Sequence, residues 1–195
     1  MENKFDIIRS LLRVDRSVRR FVESERIDTA TLESLVNLTR FCASGRNLQP
    51  LRYRIVNTPE ECAAIFPLLA WAGYLPEWPG PEPGERPAAY LVQCIDTDLT
   101  TNCLCDDGLQ LQAITLGAAA LGIGGCIIKS FNAAKISETL GIPARFSPLY
   151  ILALGRPAEK VEIEPIGSDG DVRYYRTPDR IHHVPKRPLS ELLIP

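Results

Sequence analysis

Seven residues, Ser44-Gly45-Arg46-Asn47-Leu48-Gln49-Pro50, join a helical pattern to a strand pattern and carry more hydrogen-bonding chemistry than a connection needs. A turn is satisfied by Gly, Pro, Asn or Asp at one or two positions. Here two side-chain amides and a guanidinium are added. Basic residues also cluster twice, as Arg16, Arg19 and Arg20 in DRSVRR and as Lys186-Arg187 in VPKRPL. Each cluster alone reads as a solvated face. Brought together they would make a phosphate site, because guanidinium groups give charge-assisted, often bidentate, bonds to phosphate oxygens.

Other candidates fail on spacing. GIGG at 122–125 lacks the third glycine of a dinucleotide fingerprint, and a helix precedes it where a strand is required. It reads as a helix end with a tight entry to a strand. No glycine precedes Lys129 in the way a phosphate-binding P-loop demands. His182-His183 are the two histidines, and with Cys103 and Cys105 they lack the usual zinc-ligand spacing. With only these histidines and no G-x-S-x-G, a Ser or Cys hydrolase triad is disfavoured. Six cysteines, at 42, 62, 94, 103, 105 and 126, form no C-x-x-C and mostly sit in apolar stretches, where free Cys packs as a small hydrophobe.

The elements that must position these groups can be read from periodicity. KFDIIRSLLRV places Phe5, Ile8, Leu11 and Leu12 on one helical face. A second helix starts with Asp28 as N-cap and carries Leu32, Leu35, Val36 and Phe41. LRYRIV alternates as a strand. TPEE opens a helix, with Thr58 as cap, Pro59 in the first position and Glu61 closing a capping box. YLPEWPGPEPGERP is a long loop, either a rigid connector or a lid. AAYLVQCI is a buried strand, and residues 106–121 form a helix with Asp at its positive end. Gly117 and Ala118–Ala120 imply that something packs close against it. GCIIKS is a short strand, NAAKISETLG a helix between Asn132 and Gly141, and LYILALG a core strand. The expectation is α+β, one mixed sheet flanked by helices, in a single domain over 1–195 that ends in an extended tail.

With 22 Lys+Arg against 24 Asp+Glu, the net charge is −2. That gives no basic excess for nucleic acid. The longest apolar run, near Ile114–Ile123, is short of a ~20-residue membrane span. MENKFDIIRSLLRVDR has no apolar signal core. The expected location is the cytoplasm.

In order along the chain, DRSVRRF, ASGRNLQPLRYRIV, DDGLQLQAITLGAAALGIGGCIIKSF, LYILALGRPAE and VPKRPL resemble the FMN-dependent nitroreductase family, in a compact branch. The resemblance runs from about Leu11 to Leu192. It implies a nitroreductase-like homodimer with FMN at the subunit interface and the C-terminal tail exchanged between subunits. Arg16, Ser17 and Arg19 would contact the phosphate from one end of the chain, and Lys186 and Arg187 from the other. Ala43, Ser44, Gly45 and Asn47 would come from the partner subunit, with Asn47 and Gln49 fixing the flavin. Cys126, Ile127, Ile128 and Lys129, running on to Ser130, would follow the ring edge, with the Lys129 backbone N–H near N5. The implied activity is ping-pong electron transfer from NAD(P)H to a nitroaromatic, a quinone or a similar small acceptor, with the flavin doing the chemistry. The chain departs from the family pattern at Asp15, where a basic residue is common. Ala43-Ser44-Gly45 stand for Pro-Ser-Ser, Leu51 stands for Trp, and the Pro-rich loop 75–87 replaces a longer helical excursion. Two rival readings are a non-catalytic metal- or ligand-binding protein and the same fold running another flavin reaction, such as reductive dehalogenation.

Overall fold

A computed structural model describes residues 3–194. Its centre is a four-stranded sheet made of β1 (Leu51–Val56), β2 (Ala89–Asp96), β3 (Gly124–Ile128) and β4 (Phe146–Gly155). The order is β1-β2-β4-β3 and every pairing is antiparallel. β2 is buried along its whole length because helices cover both faces of the sheet. Alternate residues feed separate cores. Tyr90, Val92 and Ile151 join Ile65 and Ile136 on one face. Leu91, Leu152 and Leu154 join Leu32, Leu35, Leu111 and Ile114 on the other.

The helices begin where their caps place them. α1 (Lys4–Val14) is capped by the Asn3 side chain, α2 (Thr29–Asn37) by Asp28 and α5 (Ala133–Leu140) by Asn132. Gly141 ends α5 in the left-handed conformation, at φ 61°. Thr58 caps α3 (Pro59–Ile65), accepting from the Glu61 N–H at 3.2 Å. The expected box is half made, because the Glu61 carboxylate turns to Arg54 instead. Phe41 also departs from expectation. It lies on a tight 3₁₀ turn after α2 and is 79% exposed. The predicted face of α1 is real in periodicity but uncovered, with Phe5 66% exposed. α4 (Asp106–Ala120) packs its small side on α2 and the following turn. A Cβ at Gly117 would strike Leu38 and crowd Leu35.

The expected single mixed sheet is instead two sheets. The tail forms β5 (Lys160–Pro165), β6 (Tyr175–Arg176) and β7 (Ile181–Lys186), in the order β5-β7-β6. β5 and β7 are parallel, and β6 runs antiparallel to β7. This small sheet folds onto its own chain through Arg19, which bonds His182 at 3.2 Å. The Pro-rich loop is held by cations. Arg20 and Arg176 lie over the Trp78 ring at 5.6 and 3.9 Å, and Arg180 pairs with Glu85. Pro195, the last residue of the apolar LLIP ending, lies outside the described residues, as do Met1 and Glu2. No described helix is long and apolar enough to cross a membrane.

Candidate functional site

The site is organised along α4. Its C-terminal end leads through Gly122 into β3, which is the open edge of the main sheet. The segment before Phe21 covers only the start of that edge. Ser17 bridges Gly125 in parallel, and the Val18 N–H donates to the Gly125 carbonyl at 3.0 Å. Between that bridge and Ser130, whose carbonyl accepts from the Ala70 N–H at 2.9 Å, no backbone hydrogen bond among the described residues covers the outer edge. The Cys126 and Ile128 side chains are buried, while Ile127 is 45% exposed. Because strand groups alternate, Ile127 turns its main chain to the same open side as Gly125. Next along, Lys129 donates its Nζ to the Tyr150 hydroxyl at 3.1 Å and sits over that ring. This contact raises the ammonium above its ordinary value.

Beside this edge lies a polar recess of about 160 Å³, lined by Asp15, Arg16, Ser17, Gln112, Thr115, Gly125 and Ile127. Asp15 Oδ2 accepts from Gln112 Nε2 at 2.6 Å and from the Thr115 hydroxyl at 2.8 Å, which ties the recess to the middle of α4. Arg16 folds back on the end of α1 and donates to the Leu12 carbonyl at 2.8 Å. Arg19 turns the other way. It donates to the Ser17 carbonyl at 3.1 Å and stacks over Tyr174.

The N-terminus of α4 holds the 43–49 loop. Asp106 is 1% exposed and accepts from the Ser44 hydroxyl at 2.5 Å and the Gly45 N–H at 2.9 Å. Ser44 Oγ in turn accepts from the Gln49 N–H at 2.9 Å. Gln49 Nε2 reaches Asn47 Oδ1 at 3.1 Å. Arg46, Asn47 and Gln49 all have φ between 49° and 55°, so the loop after Ala43 is tightly coiled and its amides face outward. Ser44, Asn47 and Gln49 line a second recess of about 200 Å³ with Cys42 and Gln110. Under it, Gln93 donates to the Tyr53 hydroxyl at 2.8 Å and Tyr53 donates to Gln110 at 2.9 Å. Burial raises the Tyr53 phenol well above its ordinary value.

The chain therefore brings Arg16 and Ser17 to the β3 edge, and gathers Ser44, Asn47 and Gln49 at a separate recess. Lys186 and Arg187 stand apart from both. They line a groove of about 620 Å³ beside β5, and Arg187 pairs with Glu191 at 2.6 Å. The neighbouring histidines diverge. His182 faces Arg19, while His183 pairs with Glu164 at 3.1 Å. Among the described residues no three His, Cys, Asp or Glu side chains group to hold a metal, and the six cysteines are unpaired. The anchoring role of Asp106 was not legible, since an Asp in a first helical turn is common for dipole reasons alone.

Comparison with known proteins places this arrangement. An NADPH-flavin oxidoreductase of Vibrio harveyi is 32% identical over 98 residues, covering 42% of this chain and 41% of that protein. The match thus spans about two fifths of that relative's length. A nitroreductase family protein from Streptococcus pneumoniae TIGR4 superposes with a TM-score of 0.68 at 17% identity, covering 96% of this chain and 99% of its own. The NADPH:FMN oxidoreductase from Vibrio harveyi, complexed with NAD+, gives 0.65 at 24% identity, covering 84% and 74%. The nitroreductase family model matches residues 13–79 and 105–156, which include α4, β3, the 43–49 loop and the Arg16-Ser17 segment. The chain belongs to the nitroreductase family.

Proposed function

We propose that this chain is a single-domain, cytoplasmic, FMN-dependent oxidoreductase that works as a homodimer. It takes electrons from NAD(P)H and passes them to a nitroaromatic, a quinone or a similar small acceptor, the two substrates using one pocket in turn. The observation that carries this reading is the uncovered edge of β3 beside the recess of Arg16 and Ser17. A planar polar ring needs main-chain partners along one side and a cationic, hydroxyl-bearing end for a phosphate. The residues present fit that demand. When bound, FMN supplies the hydride and electron chemistry.

The residues of the chain bind and orient. Ser17 offers its exposed hydroxyl, and Arg16 its guanidinium, to the phosphate. Ile127 and Lys129 present main-chain groups to the ring edge, with the Lys129 N–H directed to N5. A donor there steadies charge as it develops. The Lys129 ammonium is already engaged by Tyr150, which favours the backbone over the side chain for this task. Asn47 and Gln49 approach the ring of the opposite subunit, which accounts for a loop distinct in recess from the β3 edge. Lys186 and Arg187 reach the phosphate from the partner's tail, in keeping with their separation from Arg16 within one chain. The uncovered apolar residues Phe5, Phe41, Leu109 and Leu193 supply the dimer face, and the interface exceeds a standard ~1,600 Å².

The test is direct. Purified protein is expected to be yellow and to release FMN on denaturation. Arg16→Ala should weaken FMN binding by about 1.5–3 kcal/mol, the worth of a charge-assisted bond, with a smaller loss of folding stability. A colourless preparation that takes up no added FMN would overturn the reading.

A further inference from the structure

The β3 recess contains a charge that a phosphate site does not call for. Asp15 lines it together with Arg16 and Ser17. Both hydrogen bonds to its carboxylate come from neutral donors on α4, the Gln112 amide and the Thr115 hydroxyl, and both end on Oδ2. Among the described residues, no ion pair involves Asp15. Two cations close in sequence are directed elsewhere. Arg16 donates to the Leu12 and Asp15 carbonyls, and Arg19 to the Ser17 carbonyl. The carboxylate is thus held in place by α4 without being neutralised.

Fixed like charges a few ångströms apart in a half-buried recess repel, and solvent screens them less than it would on an open surface. Within its own chain, a phosphate entering beside Ser17 meets one cation that must leave the helix end and one anion held in place by two donors on α4. The isoalloxazine ring, held by main chain further along β3, is untouched by this conflict. We infer that Asp15 is a specificity-determining residue for the flavin. It weakens the reward for the phosphate, so that the chain discriminates between FMN and riboflavin, which carries the same ring without the phosphate, less sharply than its cations alone would. The inference rests on the flavin reading given above.

The experiment measures the dissociation constants of FMN and riboflavin, by quenching of flavin fluorescence, on the full chain freed of flavin. Asp15→Asn keeps an oxygen acceptor for Gln112 and Thr115 and removes only the charge. It should tighten FMN by about tenfold, a 1.4 kcal/mol change, and leave riboflavin within about twofold. The gain should shrink at about 1 M salt, where the screening length falls to roughly 3 Å. Thr115→Val, which removes a donor without changing charge, should leave the FMN-to-riboflavin ratio as it is in the parent. An unchanged FMN constant in Asp15→Asn, or equal shifts for both flavins, would overturn the inference and make Asp15 a fastener of the 15–18 segment. If FMN binds the parent tightly in that case, the flavin reading survives alone. If neither flavin binds the parent at micromolar concentration, both fall.

Discussion

Two segments far apart in sequence are each tied down by one buried carboxylate that accepts from a backbone N–H, and they differ in its second partner, neutral in one and charged in the other. Asp106 holds the 43–49 loop through neutral donors, a hydroxyl and a backbone N–H. Glu159 holds the tail sheet through one backbone donor and one charged partner. It accepts from the Arg19 N–H at 2.6 Å and pairs with Arg176 at 3.0 Å, its side chain wholly buried. The loop is fixed at one end while its outward amides stay available. The tail is tied to its own chain among cations and aromatics, with Arg19 over Tyr174 and Arg176 over Trp78, while Lys186 and Arg187 at its far end stay clear of that lock. A neutral tether suits a segment that must meet a ligand. A charged one suits a segment that must not move relative to its own chain.

The strongest way to break this contrast is Glu159→Ala. Removing one partner of a buried ion pair strands the other, and should cost about 3–5 kcal/mol. Chemical denaturation should show the loss, with β7 amides losing exchange protection before the main sheet does. If the tail keeps its protection, the charged lock is not what holds it.

Asp106→Ala should cost about 2–3 kcal/mol, since it removes two charge-assisted bonds and leaves their donors facing a cavity. Hydrogen exchange should rise at residues 44–49 and remain unchanged in β5 and β7. Flavin binding should weaken without loss of the tail. A uniform loss across the molecule would erase the distinction between the two tethers.

The third test uses pH. Burial, and then the Arg19 and Arg176 charges, lower the His182 imidazole from its ordinary 6.5 to about 4. The unfolded chain takes up a proton that the folded chain refuses, so between those values stability rises with pH. This contribution is complete above about 6.5 and lost as pH falls towards 4. Melting temperature measured from pH 7.5 down to 4.5 should show an acid loss of roughly 2 kcal/mol that His182→Asn removes. A pH profile identical in the variant would show that His182 is not a weak point of the lock.

The smallest effect is expected at Arg46, whose φ of 52° is costly for any residue with a Cβ. Among the described residues, no hydrogen bond of its side chain offsets that cost. Arg46→Gly should stabilise the protein by under about 1 kcal/mol, as read from denaturation midpoints, because relief of strain is partly offset by a freer unfolded chain. A loss of stability would mean that the guanidinium is held.

Much of the scaffold was legible because its signals are local. Asp28, Thr58 and Asn132 cap helices within one turn of their own position, and the near-continuous apolar run in AAYLVQCI marks a strand buried on both faces. The Ser44–Pro50 loop was visible as excess polarity, and α4 as small residues needing a close neighbour. Phe41 was misread because apolar spacing continues past the point where the helix tightens to 3₁₀ geometry, which turns the ring outward. The tail was read as extended rather than as a sheet of its own, since strands of two to six residues split by Gly, Asp and Pro give little periodic signal.

Sequence by itself determined where the helices and the strands of the main sheet lie, which loop is chemically unusual and which family pattern the chain carries. Each of these is written in residues within a few positions of one another. Tertiary structure alone decided which polar groups meet. Asp106 reaches Ser44 across 62 residues, and Arg19 reaches His182 across 163. It also decided that Asp15 faces the recess beside β3 and that Lys186 and Arg187 do not. Those meetings follow from the order β1-β2-β4-β3 and from α4 crossing its face, and a contact between distant residues leaves no periodic trace in either segment.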